Sequence, residues 1–260
     1  MDWLYTVSGF AVGLIVGVTG VGGGSLMTPL LVLFFGVSPA TAVGTDLLYA
    51  SLTKTVGGWV HGRNGTVDWK VFGLLAMGSL PAAVVTIALL KYLALGEATL
   101  RDLVTNVLSV ALLATAAALL LKDQIKKLGR RKDGTIYELH HRYLPAATIV
   151  TGAIVGALVT VSSIGAGVLG TVALLFLYPR MPAVKVVGTD IVHAVPLTAL
   201  AGMGHMALGT VDLVLLGSLL LGSLPGIWIG SHLSAKVPEK VLRPVLATML
   251  LFIGIKMLMY

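Results

Sequence analysis

The sequence is written twice, and the second copy constrains everything else about it. Gly44-Thr45-Asp46 returns as Gly188-Thr189-Asp190, and His61 returns as His205. Thr66-Val67-Asp68 returns as Thr210-Val211-Asp212, and Gly78-Ser79-Leu80-Pro81 as Gly222-Ser223-Leu224-Pro225, each 144 residues further on. Pro39 and Pro182, with the glycine clusters before them, align at 143 instead, so one residue has been inserted between. Four separated matches at one offset and in one order mark an internal duplication of about 140 residues.

Each copy carries five apolar segments. The first five lie near 3–19, 26–36, 39–60, 68–92 and 99–121; the second five lie near 144–161, 168–178, 182–204, 210–234 and 240–259. A helix needs about 20 apolar residues to cross the hydrocarbon core of a bilayer. Eight of the segments approach that length, and 26–36 and 168–178 do not. The composition agrees with a chain that lies mostly in lipid. It is 57% apolar and only 11% charged, against about 25% charged in soluble domains. The sequence therefore predicts an all-α integral membrane protein of two five-segment repeats, spanning 1–121 and 144–260, joined by a basic cytoplasmic linker at 122–143. Met1-Asp2-Trp3 lacks the basic start of a signal peptide. The absence of cysteine excludes disulfides, thiolate metal sites and cysteine nucleophiles.

An odd number of crossings per repeat turns the second copy upside down in the membrane. The basic residues test this. With the N-terminus outside and strict alternation, the inner side holds Arg63, Lys70, the seven Lys and Arg of the linker, Arg180, Lys185, Lys236, Lys240 and Arg243. That is 14 of the 18 basic residues. Merging each short segment with the one before it gives four crossings per repeat and lowers the inner count to 10. The positive-inside rule favours the inverted arrangement, with the short segments crossing or re-entering. It also removes the nucleic-acid reading of the +7 net charge, which serves to orient the chain. Inverted repeats with interrupted helices belong above all to secondary transporters, whose ligand sits near the midplane where the broken elements meet.

The interruptions are glycine-rich. The first reads Gly17-Val18-Thr19-Gly20-Val21-Gly22-Gly23-Gly24-Ser25, and the second Thr160-Val161-Ser162-Ser163-Ile164-Gly165-Ala166-Gly167. A half-helix starting after each break leaves backbone N–H groups unpaired and carries a partial positive charge. An anion at that point satisfies several of them at once. Thr19, Gly20, Gly22, Gly23, Gly24, Ser25, Ser162, Ser163, Gly165 and Gly167 are thus the candidate binding residues for a compact oxyanion. Close helix packing is the other use of glycine in membranes. No Gly-Lys-Ser/Thr follows either cluster, so neither is a nucleotide-binding P-loop.

Ionisable residues within apolar segments are costly and mark function. Ser38-Pro39 reads as a helix cap followed by proline. Asp46 then lies about 10 Å into the third helix, and Lys54 about 12 Å further along it. Asp190 is the repeat partner of Asp46, whereas the position of Lys54 is held by Thr198 in the second copy. His193 shares a helix face with Asp190 and forms either a proton relay or a structural pair with it. Asp46, Asp190, Lys54 and His193 are the candidate coupling or gating residues. His61 and His205 read as caps of helix ends, His140-His141 as exposed linker residues, and the tryptophans as interfacial anchors.

With these motifs in hand, the chain resembles the sulfite exporter TauE/SafE family, also called the 4-toluene sulfonate uptake permeases. The resemblance rests on GVTGVGGGSLMTPLL from Gly17 to Leu31, on Gly44-Thr45-Asp46, and on the degenerate Ile164-Gly165-Ala166-Gly167, and it extends over essentially the whole chain. The second copy departs from the first: Ala166 and Val168 stand where glycines do, and no proline corresponds to Pro29. The resemblance implies a multi-pass protein of a bacterial or archaeal cytoplasmic membrane. It implies ion-gradient-driven movement of small sulfur-containing anions, such as sulfite or organosulfonates, without a cofactor or a metal. The expected partners are a small anion and the bilayer, with no nucleic acid and with a homodimer as the open question of assembly. The rival readings are a passive anion channel and a permease for another small organic anion. An enzyme is not expected: the chain has no cysteine and no HExxH motif, and its histidines are scattered over both repeats.

Overall fold

A computed structural model of the chain describes residues 3–19, 24–93, 96–130, 135–234 and 239–259. These residues form ten α-helices and no strand. In the first repeat they are α1 (Trp3–Thr19), α2 (Gly24–Phe35), α3 (Pro39–Arg63), α4 (Trp69–Leu93) and α5 (Glu97–Arg130). In the second they are α6 (Thr135–Ser162), α7 (Val168–Leu177), α8 (Ala183–Ala207), α9 (Leu213–Ser234) and α10 (Glu239–Leu258). Every apolar segment coincides with one helix.

α2 and α7 have 12 and 10 residues, or about 18 and 15 Å of rise, well short of a ~30 Å hydrocarbon core. Five other helices are long and apolar enough to cross a membrane. All four tryptophans and many large apolar side chains, including Phe34, Met77, Val85 and Phe252, are exposed, as they are on a protein surrounded by lipid. α3 starts as its sequence dictates: Ser38 caps it, its Oγ accepting from the Thr41 N–H at 3.2 Å, with Pro39 in the first turn. α5 continues to Arg130 and α6 begins at Thr135, so helix enters the polar stretch from both sides. Apolar length measures the membrane, whereas Lys, Gln, Leu and Glu sustain a helix beyond it.

The helices pair across the repeats. α1 packs along α9, α4 along α6, α3 along α8, and α5 along α10. Glycines set the first two contacts. A Cβ on Gly9 or Gly13 would meet the backbone of Leu219 or Ser223. One on Gly152 or Gly156 would meet the backbone of Leu75 or Ser79, the same positions in the other copy. Sequence numbers rise together along both pairs, so α1 runs parallel to α9 and α4 parallel to α6. α3 and α8 run antiparallel: Gly58 faces Val192 and Val195, while Gly202 faces Leu48. α3 and α8 are counterparts in the two copies of the sequence. They cross at the buried centre, with α2, α4, α5, α7 and α9 around them.

Candidate functional site

Both copies of the Gly-Thr-Asp motif are buried where α3 and α8 cross, and each residue has a distinct task. The glycine admits a backbone. A Cβ on Gly44 would meet the carbonyl oxygen of Thr210, and one on Gly188 that of Thr66. The threonine ties that neighbouring turn in place. Thr45 Oγ accepts from the Asp212 N–H at 3.1 Å, and Thr189 Oγ from the Asp68 N–H at 2.9 Å. The turn after each of the two central helices is thereby fastened to the other central helix.

His61 and His205 complete the fastening. Their Nδ1 atoms lie 2.8 and 2.9 Å from the hydroxyls of Thr66 and Thr210. Each holds the turn that follows its own helix through that turn's threonine. His205 also reaches the carbonyl oxygen of Thr160 at 2.9 Å. A carbonyl only accepts, so a neutral His205 carries its proton on Nε2 and accepts at Nδ1. It secures the last turn of α6 where the second break begins.

The aspartates of the two motifs face the half-helices. Asp46 Oδ2 accepts from Thr28 Oγ of α2 at 2.5 Å and from Ser163 Oγ at 2.9 Å. Asp190 Oδ2 accepts from Thr171 Oγ of α7 at 2.9 Å. Thr28 and Thr171 are repeat partners that the charged-residue reading passed over. Their signal is a hydroxyl at the one matched position in two largely apolar half-helices. Each aspartate keeps its other oxygen, Oδ1, buried and without a hydrogen-bond partner among the described residues. A Cβ on Gly170 would collide with the Asp190 Oδ1, so that oxygen points at the first turn of α7.

The second break is built from unusual backbone. Ser163 has φ +58°, Gly165 +118° and Gly167 +133°. Ser162 Oγ is engaged locally, donating to the Leu158 carbonyl at 2.7 Å, so of the two serines only Ser163 reaches outward to Asp46. Three residues on, the Ala166 carbonyl accepts from Lys54 Nζ at 2.6 Å. Lys54 interacts electrostatically with both Asp190 and Asp46. Its repeat partner Thr198 bonds to carbonyls of its own helix, Ala194 at 2.8 Å and Val195 at 3.4 Å.

The expected Asp190–His193 pair is replaced by another. His193 Nε2 lies 2.7 Å from Ser79 Oγ of α4, and Asp190 turns to Thr171. A shared helix face brings two side chains near each other, but hydroxyls on crossing helices bind them first. The same position in the first repeat holds Tyr49, which lies against Ser223, the repeat partner of Ser79.

At the first break, Gly20, Gly22 and Gly23 lie outside the described residues, and only the helical backbone is described for Thr19, Gly24 and Ser25. The described contacts thus converge at the second break: Ser163, Ala166, Gly170 and Thr171 on one side, Asp46, Lys54 and Asp190 on the other. No cluster of His, Asp and Glu able to hold a metal occurs among the described residues.

Comparison with known proteins matches residues 5–257 to the family model described as sulfite exporter TauE/SafE. A probable membrane transporter protein of Bacillus subtilis, YjnA, is 37% identical over 250 residues, covering 96% of this chain and 97% of that protein. A second from the same organism, YdhB, is 27% identical over 242 residues, covering 90% and 91%. A probable membrane transporter protein of Methanocaldococcus jannaschii is 24% identical over 271 residues, covering 98% and 95%. No solved structure matches.

Proposed function

The chain belongs to the sulfite exporter TauE/SafE family of membrane transporters, and on that premise we propose that it is a secondary transporter of small sulfur-containing anions, driven by an ion gradient. The observation that carries the reading is the convergence on one broken helix of a cation, Lys54, and two carboxylates, Asp46 and Asp190. A passive pore has no need of such a set at its centre. A carrier needs charges that change partners as it turns from one side to the other.

The substrate meets the second break, where Lys54 and the first turn of α7 supply positive charge. The first break supplies the facing half of the site through Thr19, Gly20, Gly22, Gly23, Gly24 and Ser25. Asp46, Asp190, Lys54 and His193 govern coupling and gating. The test is uptake into proteoliposomes of labelled sulfite, competed by sulfonates, thiosulfate, sulfate and carboxylates, with and without a pH gradient. Sulfite or a sulfonate is expected to accumulate above its external concentration, and carboxylates to compete at least tenfold more weakly. If no sulfur oxyanion is carried or competes, the substrate class is wrong. Passive equilibration at channel rates would favour the pore.

The two repeats lie inverted in the cytoplasmic membrane, with the N-terminus outside. The antiparallel run of α3 and α8 supports this reading, since four crossings per repeat would make those helices parallel. A cysteine-free chain makes the test direct. A membrane-impermeant maleimide applied to intact cells is expected to label Ala207→Cys, at the exposed end of α8, and to reach Asn64→Cys, after α3, only once the membrane is opened. The opposite pattern would reverse the orientation, and equal labelling of both would remove the inversion.

A further inference from the structure

We propose that Lys54 is the counter-charge of the transported anion and that Asp46 and Asp190 take up the proton that crosses with it, one proton per monoanion. The inference rests on the transport reading above and adds its coupling ion and stoichiometry.

The geometry is a ladder along the α3–α8 crossing. Ser163 meets Asp46, Ala166 meets Lys54, and Gly170 and Thr171 meet Asp190, in chain order along the break and the start of α7. On α3, Lys54 lies eight residues from Asp46, or about 12 Å by helical rise. The antiparallel register sets Lys54 opposite the stretch of α8 around Val195, about 7 Å of rise from Asp190. The cation therefore stands between two carboxylates placed toward opposite ends of the crossing. Among the described residues each carboxylate keeps one buried oxygen without a hydrogen-bond partner, and the Asp190 oxygen is aimed at the first turn of α7. Those oxygens are where a proton can sit.

Charge counting gives the stoichiometry. Two carboxylates and one ammonium sum to one negative charge, and the two carboxylates are buried, where unbalanced charge is costly. One proton makes the empty set neutral. A monoanion drawn to Lys54 leaves it negative again, and a second proton, on the other carboxylate, restores neutrality. Loading thus adds one anion and one proton together, and unloading returns both. The count takes the other groups that face this set as neutral. They are the hydroxyls Thr28 of α2, Ser79 of α4, Ser163, Thr171 of α7 and Ser223 of α9, with Tyr49, His193 and His205 on α3 and α8 themselves. His193 is held by Ser79 and His205 by Thr160 and Thr210. On α5, Arg101 and Asp102 are exposed.

The test is made on the whole protein in proteoliposomes. The probe is labelled 4-toluenesulfonate, which is a monoanion at every working pH, so a proton that moves with it rides on the protein. Labelled sulfite is the second probe. If wild-type protein carries neither, the transport reading itself fails. If either enters, the coupling is read separately. One unit of pH, alkaline inside, with the potential clamped to zero, is expected to drive about tenfold accumulation of the sulfonate, and a potential alone none. An internal pH dye should register one proton per labelled sulfonate. Accumulation that follows the potential and ignores the pH gradient overturns the proposal while leaving a transporter. Asp46→Asn and Asp190→Asn, checked for folding by gel filtration, should lower the accumulation ratio to about one. A wild-type ratio in both overturns the assignment. Lys54→Gln can still donate to the Ala166 carbonyl, so a merely structural lysine predicts an unchanged KM. The counter-charge role predicts a KM raised at least tenfold, with Lys54→Arg closer to wild type.

Discussion

Gly222→Val is expected to leave no monodisperse folded protein in mild detergent, while Gly73→Val purifies as wild type does. The two glycines lie in corresponding long helices, and only their surroundings differ. A Cβ at Gly222 would fall on the Thr6 carbonyl oxygen and the Phe10 nitrogen of α1. Both are backbone atoms of a helix and cannot rotate away. A Cβ at Gly73 would meet nothing within 4 Å. Lipid tails are as apolar as leucine, so helices in a membrane are held by close packing rather than by burial. Forcing α1 and α9 apart therefore removes the term that joins them. Overpacking costs about 3 kcal/mol where the backbone must yield, which is a large share of ordinary stability. Gly78→Val should fail in the same way, because it meets the Ile149 carbonyl oxygen and the Ala153 nitrogen in the α4–α6 pair. If Gly222→Val and Gly73→Val show equal midpoints on titration with a denaturing detergent, the packing account of this pair is wrong.

That contrast bears on what the sequence made legible. The helices were readable because the bilayer imposes a length, and Ser38-Pro39 placed the start of α3 to the residue. Asp46, Asp190 and Lys54 were readable because charge in a membrane is conspicuous. The glycines were only half readable. Those of the breaks drew notice by clustering, whereas Gly9, Gly13, Gly152, Gly156, Gly222 and Gly226 recur at four-residue spacing and form the packing seams. The spacing was available in the sequence, but its partner helix was not. The hydrogen bonds lay further out of reach. Periodicity put His193 on the face of Asp190, but Ser79 on α4 and Thr171 on α7 decide where each side chain turns. Such contacts join segments more than 100 residues apart or belong to a half-helix whose tilt no local pattern encodes. The repeat offset is the one sequence signal that reaches that far. Thr28 and Thr171, Thr45 and Thr189, and Ser79 and Ser223 all occupy corresponding sites in the fold.

The break itself supplies the sharpest functional prediction. Gly167→Ala is expected to cut anion uptake by more than tenfold while the protein stays folded and monodisperse. Gly167 has φ +133° and ψ −77°, a region that residues with a Cβ rarely enter. Gly165, at φ +118°, shares that restriction, although its Cβ would meet only side-chain atoms at ordinary contact distances. The obstacle at Gly165 is thus strain and not space, and the backbone of Gly167 carries the same strain. Strain of this kind costs about 2 kcal/mol, and 1.4 kcal/mol is a factor of ten in a population. α6 and α7 are packed against α4, α5 and α8 on either side of the break, so the alanine shifts the loop before it unfolds the helices. The shifted residues hold the Ala166 carbonyl against Lys54 and present the first turn of α7 to Asp190. Ser163→Gly separates backbone from hydroxyl. It relieves the positive φ of Ser163 but removes a donor to Asp46, so uptake should fall without loss of stability. Wild-type uptake in Gly167→Ala, at wild-type stability, would mean that the shape of the break is indifferent to transport, and the substrate would have to be sought elsewhere along the α3–α8 crossing.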